Sequence, residues 1–233
     1  MTSELDLLVF GPHADDLEIG LGGTIAKHTA RGHRVGLCDL TRGELATNGT
    51  PEQRLVEAEE ARRLLGAAWR ENLGWPDGRI GADPSHLPDA VAFIRRCLPR
   101  TIAIPYWHDR HPDHEAASRV LTEAAFKSGL RRYEPATEAW RPERVCYYFI
   151  NDDAEPSFVV DVTAHYDTKR RALACHGSQF RPSAGDAAPT RLTSPRFQQL
   201  IESRDARFGA RAGVAWAEGI VVKTPILRED LLA

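Results

Sequence analysis

Two short stretches hold the side chains whose types and spacing can do chemistry. One is Gly11-Pro-His-Ala-Asp-Asp16 and the other is Tyr106-Trp-His-Asp-Arg-His-Pro-Asp-His114. Each sets histidine beside aspartate. Imidazole and carboxylate together make a donor set suited to zinc, with iron(II) as a competitor, and two histidines plus one aspartate leave positions open for water and substrate. Asp15 and Asp16 are adjacent, so their side chains diverge, and one can ligate while the other handles a proton. In the second stretch Pro112 suits a first helical turn, which gathers His111, Asp113 and His114 at a helix N-terminus. His114 is then a candidate ligand and His111 a candidate acid or oxyanion partner. Asp113 is expected to hydrogen-bond His111 and favour its charged form. A competing triad of His108, His111 and His114 has i, i+3, i+6 spacing. It ranks lower because it leaves the first stretch unused and because His108 precedes the helical part.

These side chains need a scaffold that brings both stretches together. Leu5 to Phe10 is a short, largely apolar run ended by Gly11-Pro12, which predicts a buried strand and a turn. A helix follows from Leu17 to Ala30, then a strand at Val35 to Leu40. A second helix spans Pro51 to Leu65, with Thr50 as N-cap and Gly66 past its end. The alternation continues with a strand near 68–73, a helix at about 85–97, a strand at 101–104 and a helix at about 112–128. Strands at 145–150 and 157–160 and helices at about 164–175 and 195–208 complete it. This pattern predicts an α/β fold with a mostly parallel sheet, helices on both faces and a C-terminal extension of strands and helices. Residues 1–233 are expected to form one domain, with surface loops at 74–84, 134–144 and 181–193. In such a sheet the pocket lies beyond the carboxyl ends of the strands, where loops 11–16 and 106–114 both fall.

Composition narrows the partners. Thirty Lys and Arg against 33 Asp and Glu give a net charge of -3, so nucleic acid and anionic membranes are not expected as main partners. No signal-peptide pattern and no membrane-spanning apolar run is visible, which predicts a cytoplasmic protein. Cys38, Cys97, Cys146 and Cys175 lie far apart with no C-x-x-C pair, which excludes a thiolate metal site. His28, His33, His86, His165 and His176 read as surface or core residues. Gly20, Gly22 and Gly23 fall inside a predicted helix rather than in the turn before it. Asp15 and Asp16 would also repel a pyrophosphate there, so a nucleotide-binding enzyme is a weak rival.

The Pro12-His-Ala-Asp-Asp16 loop, Leu40-Thr-Arg-Gly-Glu44 and His111-Pro-Asp-His114 together resemble the LmbE/PIG-L zinc-dependent N-deacetylases. Asn48-Gly-Thr50, Arg54, Ser178-Gln-Phe180, Leu192-Thr193 and Ala217-Glu-Gly219 resemble the bacillithiol-pathway branch, the N-acetyl-α-D-glucosaminyl L-malate deacetylases (BshB). The likeness covers nearly the whole chain. It implies a Rossmann-like fold and zinc held by His13, Asp16 and His114. It further implies Asp15 as general base towards zinc-bound water, and His111, oriented by Asp113, stabilising the tetrahedral intermediate or protonating the amine. Arg54 matches a substrate-binding arginine, and Arg110 is a second candidate to grip sugar hydroxyls or a malate carboxylate. Some relatives carry a mobile tyrosine that polarises the acetyl carbonyl, and the corresponding position here is Phe197.

The resemblance also implies a homo-oligomer, often a hexamer in this branch, and a small N-acetylated sugar as substrate. The expected activity is removal of acetate from an N-acetylglucosamine unit, foremost N-acetylglucosaminyl malate. Another N-acetylglucosamine glycoside or N-acetyl sugar is the nearest alternative. A sugar-binding protein with a structural metal is the alternative from another class.

Overall fold

The computed structural model describes residues 5–134, 136–181 and 188–230. The first strand, β1 (Leu5–Gly11), buries every residue but Asp6, and the chain turns at Pro12 into α1 (Asp16–Ala30). Then come β2 (Val35–Thr41), α2 (Pro51–Leu65), β3 (Trp69–Trp75), α3 (His86–Cys97), β4 (Pro99–Pro105) and α4 (Pro112–Lys127). The C-terminal part holds β5 (Arg144–Tyr148), β6 (Phe158–Asp161), α5 (Tyr166–Cys175), the single turn α6 (Gly177–Phe180), α7 (Pro195–Ala212) and β7 (Ala217–Val221). Helix ends follow local chemistry: Thr50 Oγ1 accepts from Gln53 N, and Gly66 closes α2 at a φ of 72° that glycine adopts without strain.

The strand order is β3-β2-β1-β4-β5-β7-β6. The pairings from β3 through β5 are parallel, whereas β7 runs antiparallel to both β5 and β6. Alternate strand residues feed two cores, as a doubly covered sheet requires. Leu8, Phe10, Ile102 and Ile104 pack with α3 and α4, while Leu7, Val9 and Ala103 pack with α1, α2 and α5. The chain switches direction across the sheet between β1 and β4. The loops that follow these two strands therefore open a crevice at their carboxyl ends.

The expected α/β architecture holds, with three differences, two of them in the C-terminal part. Strand β7 was not anticipated, because its core is interrupted by Glu218 and Gly219. Burial of Glu218 is made tolerable by Lys169 Nζ, which donates to it at 2.6 Å, and by the amides of Gly23 and Thr24, which donate at 3.0 and 2.7 Å. Helix α7 runs on past Phe208 to Ala212. A Cβ at Gly209 would lie 2.7 Å from Ala215 O, so this glycine serves a close approach rather than a stop. Thirdly, β3 extends to Trp75, inside the expected loop at 74–84, because Trp75 is buried and stacks on His86.

The glycines of α1 are packing residues. A Cβ at Gly20 would fall 2.2 Å from Tyr148 Cδ2, and one at Gly23 would fall 2.7 Å from Val162 Cβ. Their absence of side chains lets α1 press against the sheet, which sets where Asp15 and Asp16 emerge.

Candidate metal centre and active site

The turn after β1 is pinned from below. Arg70 on β3 donates from Nη2 to the Ala14 carbonyl at 2.7 Å, and its guanidinium also pairs with Glu18 (2.6 Å) and Asp39 (2.7 Å). This buried ion cluster fixes the backbone of the 12–16 loop. Asp15 is the N-cap of α1 and Asp16 its first residue, while His111 is the N-cap of α4. Two helix N-termini, each carrying partial positive charge, thus meet at the crevice.

Asp16 is the hinge of the donor set. Its Oδ2 lies 3.1 Å from His13 Nδ1 and 3.3 Å from His114 Nε2. Donors bound to one tetrahedral ion at 2.0–2.1 Å are spaced by about 3.3 Å, so each of these two separations suits a shared divalent ion, and ring nitrogens of His13, His111 and His114 also lie within 4.8 Å of one another. The other nitrogen of each imidazole meets buried carboxylate. His13 Nε2 lies 3.1 Å from Asp77 Oδ1 and 3.5 Å from Asp113 Oδ2, and His114 Nδ1 lies 3.0 Å from Asp109 Oδ1. A carboxylate behind a ligating imidazole fixes its tautomer and orientation. His111 is close by, its ring stacked 4.6 Å from that of His114.

The electrostatics follow from these contacts. Burial alone would lower the pKa of His13, but Asp113, Asp16 and Asp77 outweigh it and hold it well above the ordinary imidazole range. His114, likewise opposed by burial, is raised to about 9 by Asp16 and Asp109. Burial would raise Asp16, yet His114 and His13 hold it well below the usual carboxylate range. Asp77 and Asp109 sit at about 2, since His13 and His114 respectively overcome their desolvation. His111 moves the other way: burial, then the neighbouring His114 and His13, lower it.

Asp15 differs from every other carboxylate here. Its Oδ1 lies 3.4 Å from Arg54 Nη2, while its Oδ2 is buried with no hydrogen-bond partner among the described residues. Arg54, itself 4% exposed, also donates to the Gly43 carbonyl. The crevice above holds about 360 Å³ and is walled by Leu45, Arg110, Asn151, Gln179, Arg191 and Phe197.

The structure brings His13, Asp15, Asp16, Arg54, Arg110, His111 and His114 to this one crevice. Asp113 adjoins it, but its expected role needs correction. Its carboxylate accepts from Gly78 N at 2.8 Å and faces His13, whereas it is the Asp113 backbone amide that donates to His111 Nδ1 at 3.2 Å. The physical reason is the cap: His111 turns Nδ1 back onto the first free amides of α4, so no carboxylate reaches it. Nor is its charged form favoured, given its lowered pKa. The competing triad is not assembled, because His108 is 80% exposed and turns towards Glu115.

Sequence reasoning missed Asp77 and Asp109. Asp77 sits in a Pro76-Asp-Gly78 turn, where aspartate is ordinary. Asp109 stands among stronger candidates on either side. Asn48, which the sequence marks only through the branch resemblance, pairs its amide with both backbone groups of Ala188 at 3.0 Å and so anchors the 188–192 wall. Phe197 carries no hydroxyl to the crevice; it is buried beside Phe180, with the Arg191 guanidinium 5.4 Å from its ring centre.

Comparison with known proteins places this geometry in context. A family model described as "PIG-L: GlcNAc-PI de-N-acetylase" matches residues 8–125. The conserved protein TT1542 from Thermus thermophilus is similar in structure, with a TM-score of 0.88 and 38% identity over 97% of this chain and 98% of its own. Diacetylchitobiose deacetylase from Thermococcus kodakarensis is 27% identical over 92% of this chain and 81% of its own length. A 1D-myo-inositol 2-acetamido-2-deoxy-alpha-D-glucopyranoside deacetylase from Rhodococcus opacus is 25% identical, over 76% and 82% respectively. Among the described residues no helix is long and apolar enough to cross a membrane.

Proposed function

The chain belongs to the PIG-L family, and from that premise we propose that it is a zinc-dependent hydrolase that removes acetate from an N-acetylglucosamine unit. The observation that carries this reading is Asp15 Oδ2, a buried carboxylate oxygen with no hydrogen-bond partner among the described residues, beside the His13, Asp16 and His114 donors. A structural ion calls for a closed set of four protein ligands, whereas this set opens onto a crevice. Bound there, zinc or iron(II) supplies a Lewis acid for the acetyl carbonyl and lowers the pKa of the attacking water.

The chain's own residues divide the remaining work. Asp15 Oδ2 takes a proton from the attacking water, while Arg54 holds the opposite oxygen in place. His111, with Nδ1 engaged by the Asp113 amide, turns its other nitrogen towards the oxygen that gains charge. The N-termini of α1 and α4 favour that charge as well. The proton on Asp15 can then pass to the departing amine. With Phe197 in the wall, no tyrosine hydroxyl lines the crevice among the described residues, so His111 is the donor to the carbonyl oxygen.

For the substrate we favour N-acetylglucosaminyl malate, as the bacillithiol-branch resemblance implies. The support is Arg110 and Arg191 on the crevice wall, neither guanidinium with a carboxylate partner among the described residues, which suits an anionic aglycone. The four free cysteines fit a reducing cytoplasm, and the branch resemblance carries a homo-oligomer with it. A panel of N-acetylglucosaminyl malate, diacetylchitobiose and N-acetylglucosaminyl inositol tests the reading. A higher kcat/KM for the malate glycoside is expected. Preference for a neutral glycoside would move the assignment to that substrate, and no acetate release from any of the three would overturn it.

A further inference from the structure

Asp109 plays no part in the proposed proton transfers, yet its carboxylate is among the most heavily engaged in the crevice. It lies in the loop after β4 and is 7% exposed. Its Oδ1 is 3.0 Å from His114 Nδ1 and accepts from the His111 amide at 2.9 Å and from Asn151 Nδ2 at 3.0 Å. Its Oδ2 accepts from the Asn151 amide at 2.9 Å. We propose, on the basis of the zinc-deacetylase reading, that Asp109 is a positioning residue that locks the ligand His114 and the substrate-facing Asn151 into one register.

The argument rests on donor and acceptor identity. An ionised carboxylate only accepts, so the His114 nitrogen facing it carries the hydrogen and the lone pair of Nε2 is directed to Asp16 and the ion. The same two oxygens hold Asn151 by both its backbone and its side-chain nitrogen. Asn151 follows the end of β5 and lines the crevice, so it is substrate wall rather than metal ligand. The His111 amide is the third claim on Asp109, and it sets where α4 begins. One side chain therefore ties the loop after β4, the start of α4 and the loop after β5. Displacing it moves the ion and the pocket wall together.

The test uses Asp109→Asn and Asn151→Ala in the full chain. Asparagine keeps the volume of Asp109 but turns one acceptor into a donor, which then confronts either the Asn151 amide or the His114 ring. For Asp109→Asn, zinc affinity measured by competition with a chromophoric chelator is expected to weaken about 10- to 100-fold. At saturating zinc, its KM is expected to stay about tenfold above wild type, as a displaced wall contact requires. Nitrogen-15 spectra of the metal-free protein, taken above about pH 9 where the His114 ring is neutral, should show His114 protonated at Nδ1 in the wild type and a mixture of tautomers in Asp109→Asn. For Asn151→Ala, KM rises while zinc affinity stays at the wild-type value. Wild-type zinc affinity and an unchanged His114 tautomer in a folded Asp109→Asn protein would overturn the inference, and that measurement needs no substrate. Failure of the wild-type chain to release acetate would instead sink the deacetylase reading.

Discussion

Arg54 Nη2 stands 3.4 Å from Asp15 Oδ1 and leaves Asp15 Oδ2 buried at the floor of the crevice with no hydrogen-bond partner among the described residues. A buried carboxylate with one oxygen held and the other free is set up to take a proton. Replacing Asp15 with Asn keeps the shape and removes the base. The kcat of Asp15→Asn should fall about 10²- to 10⁴-fold, while its zinc content, read by atomic absorption, stays at the wild-type level. Near-wild-type turnover with full zinc would remove Asp15 from the role of base.

The ligand set makes a sharper distinction. His13→Ala, Asp16→Ala and His114→Ala are each expected to lose bound zinc, because each deletes one of three converging donors. His108→Ala should retain it, since this ring is 80% exposed and points away. Zinc retained in His13→Ala but lost in His108→Ala would reverse the assignment.

The same motifs show how much the chain discloses of itself. That His13, Asp15, Asp16 and His114 would share one crevice was legible because the stretches 11–16 and 106–114 each begin at the end of an apolar strand, and strand-helix alternation fixes the edge to which such loops belong. Asp77, Asp109 and the orientation of Asp113 were not, because they depend on partners distant in sequence: Asp113 turns its carboxylate to Gly78, and Asp109 to Asn151. Strand β7 escaped notice for a similar reason. Its Glu218 reads as an exposed residue until Lys169 of α5 is placed beside it.

Protonation of the ligands gives metal binding a definite pH dependence. In the metal-free chain His114 is raised to about 9, so at neutral pH it carries a proton that an entering ion must displace. Apparent zinc affinity should climb by about tenfold per pH unit for each proton displaced, His13 adding its own to that of His114, and the His114 share flattens above about 9. A raised pKa also stabilises the metal-free fold fully below the unfolded value of about 6.5. That contribution is lost as pH rises through about 9. Chelator competition and thermal melts of metal-free protein check both slopes, and a flat affinity profile across this window would contradict them.

Stability of the site loop depends on Arg70, whose side chain is 4% exposed between Glu18 and Asp39. Arg70→Met leaves buried Asp39 without its guanidinium partner, Glu18 facing His176 alone, and the Ala14 carbonyl without its donor. A loss of about 3–5 kcal/mol is expected, seen as a fall of roughly 10 °C or more in the melting temperature. A melt unchanged to within a few degrees would show that the cluster does not hold the loop.

The most direct test of the account is acetate release from N-acetylglucosaminyl malate by the purified chain, measured before chelation, after chelation and after zinc is restored. The account predicts release, its loss on chelation and its return with zinc. Release that persists in fully metal-free protein would contradict it.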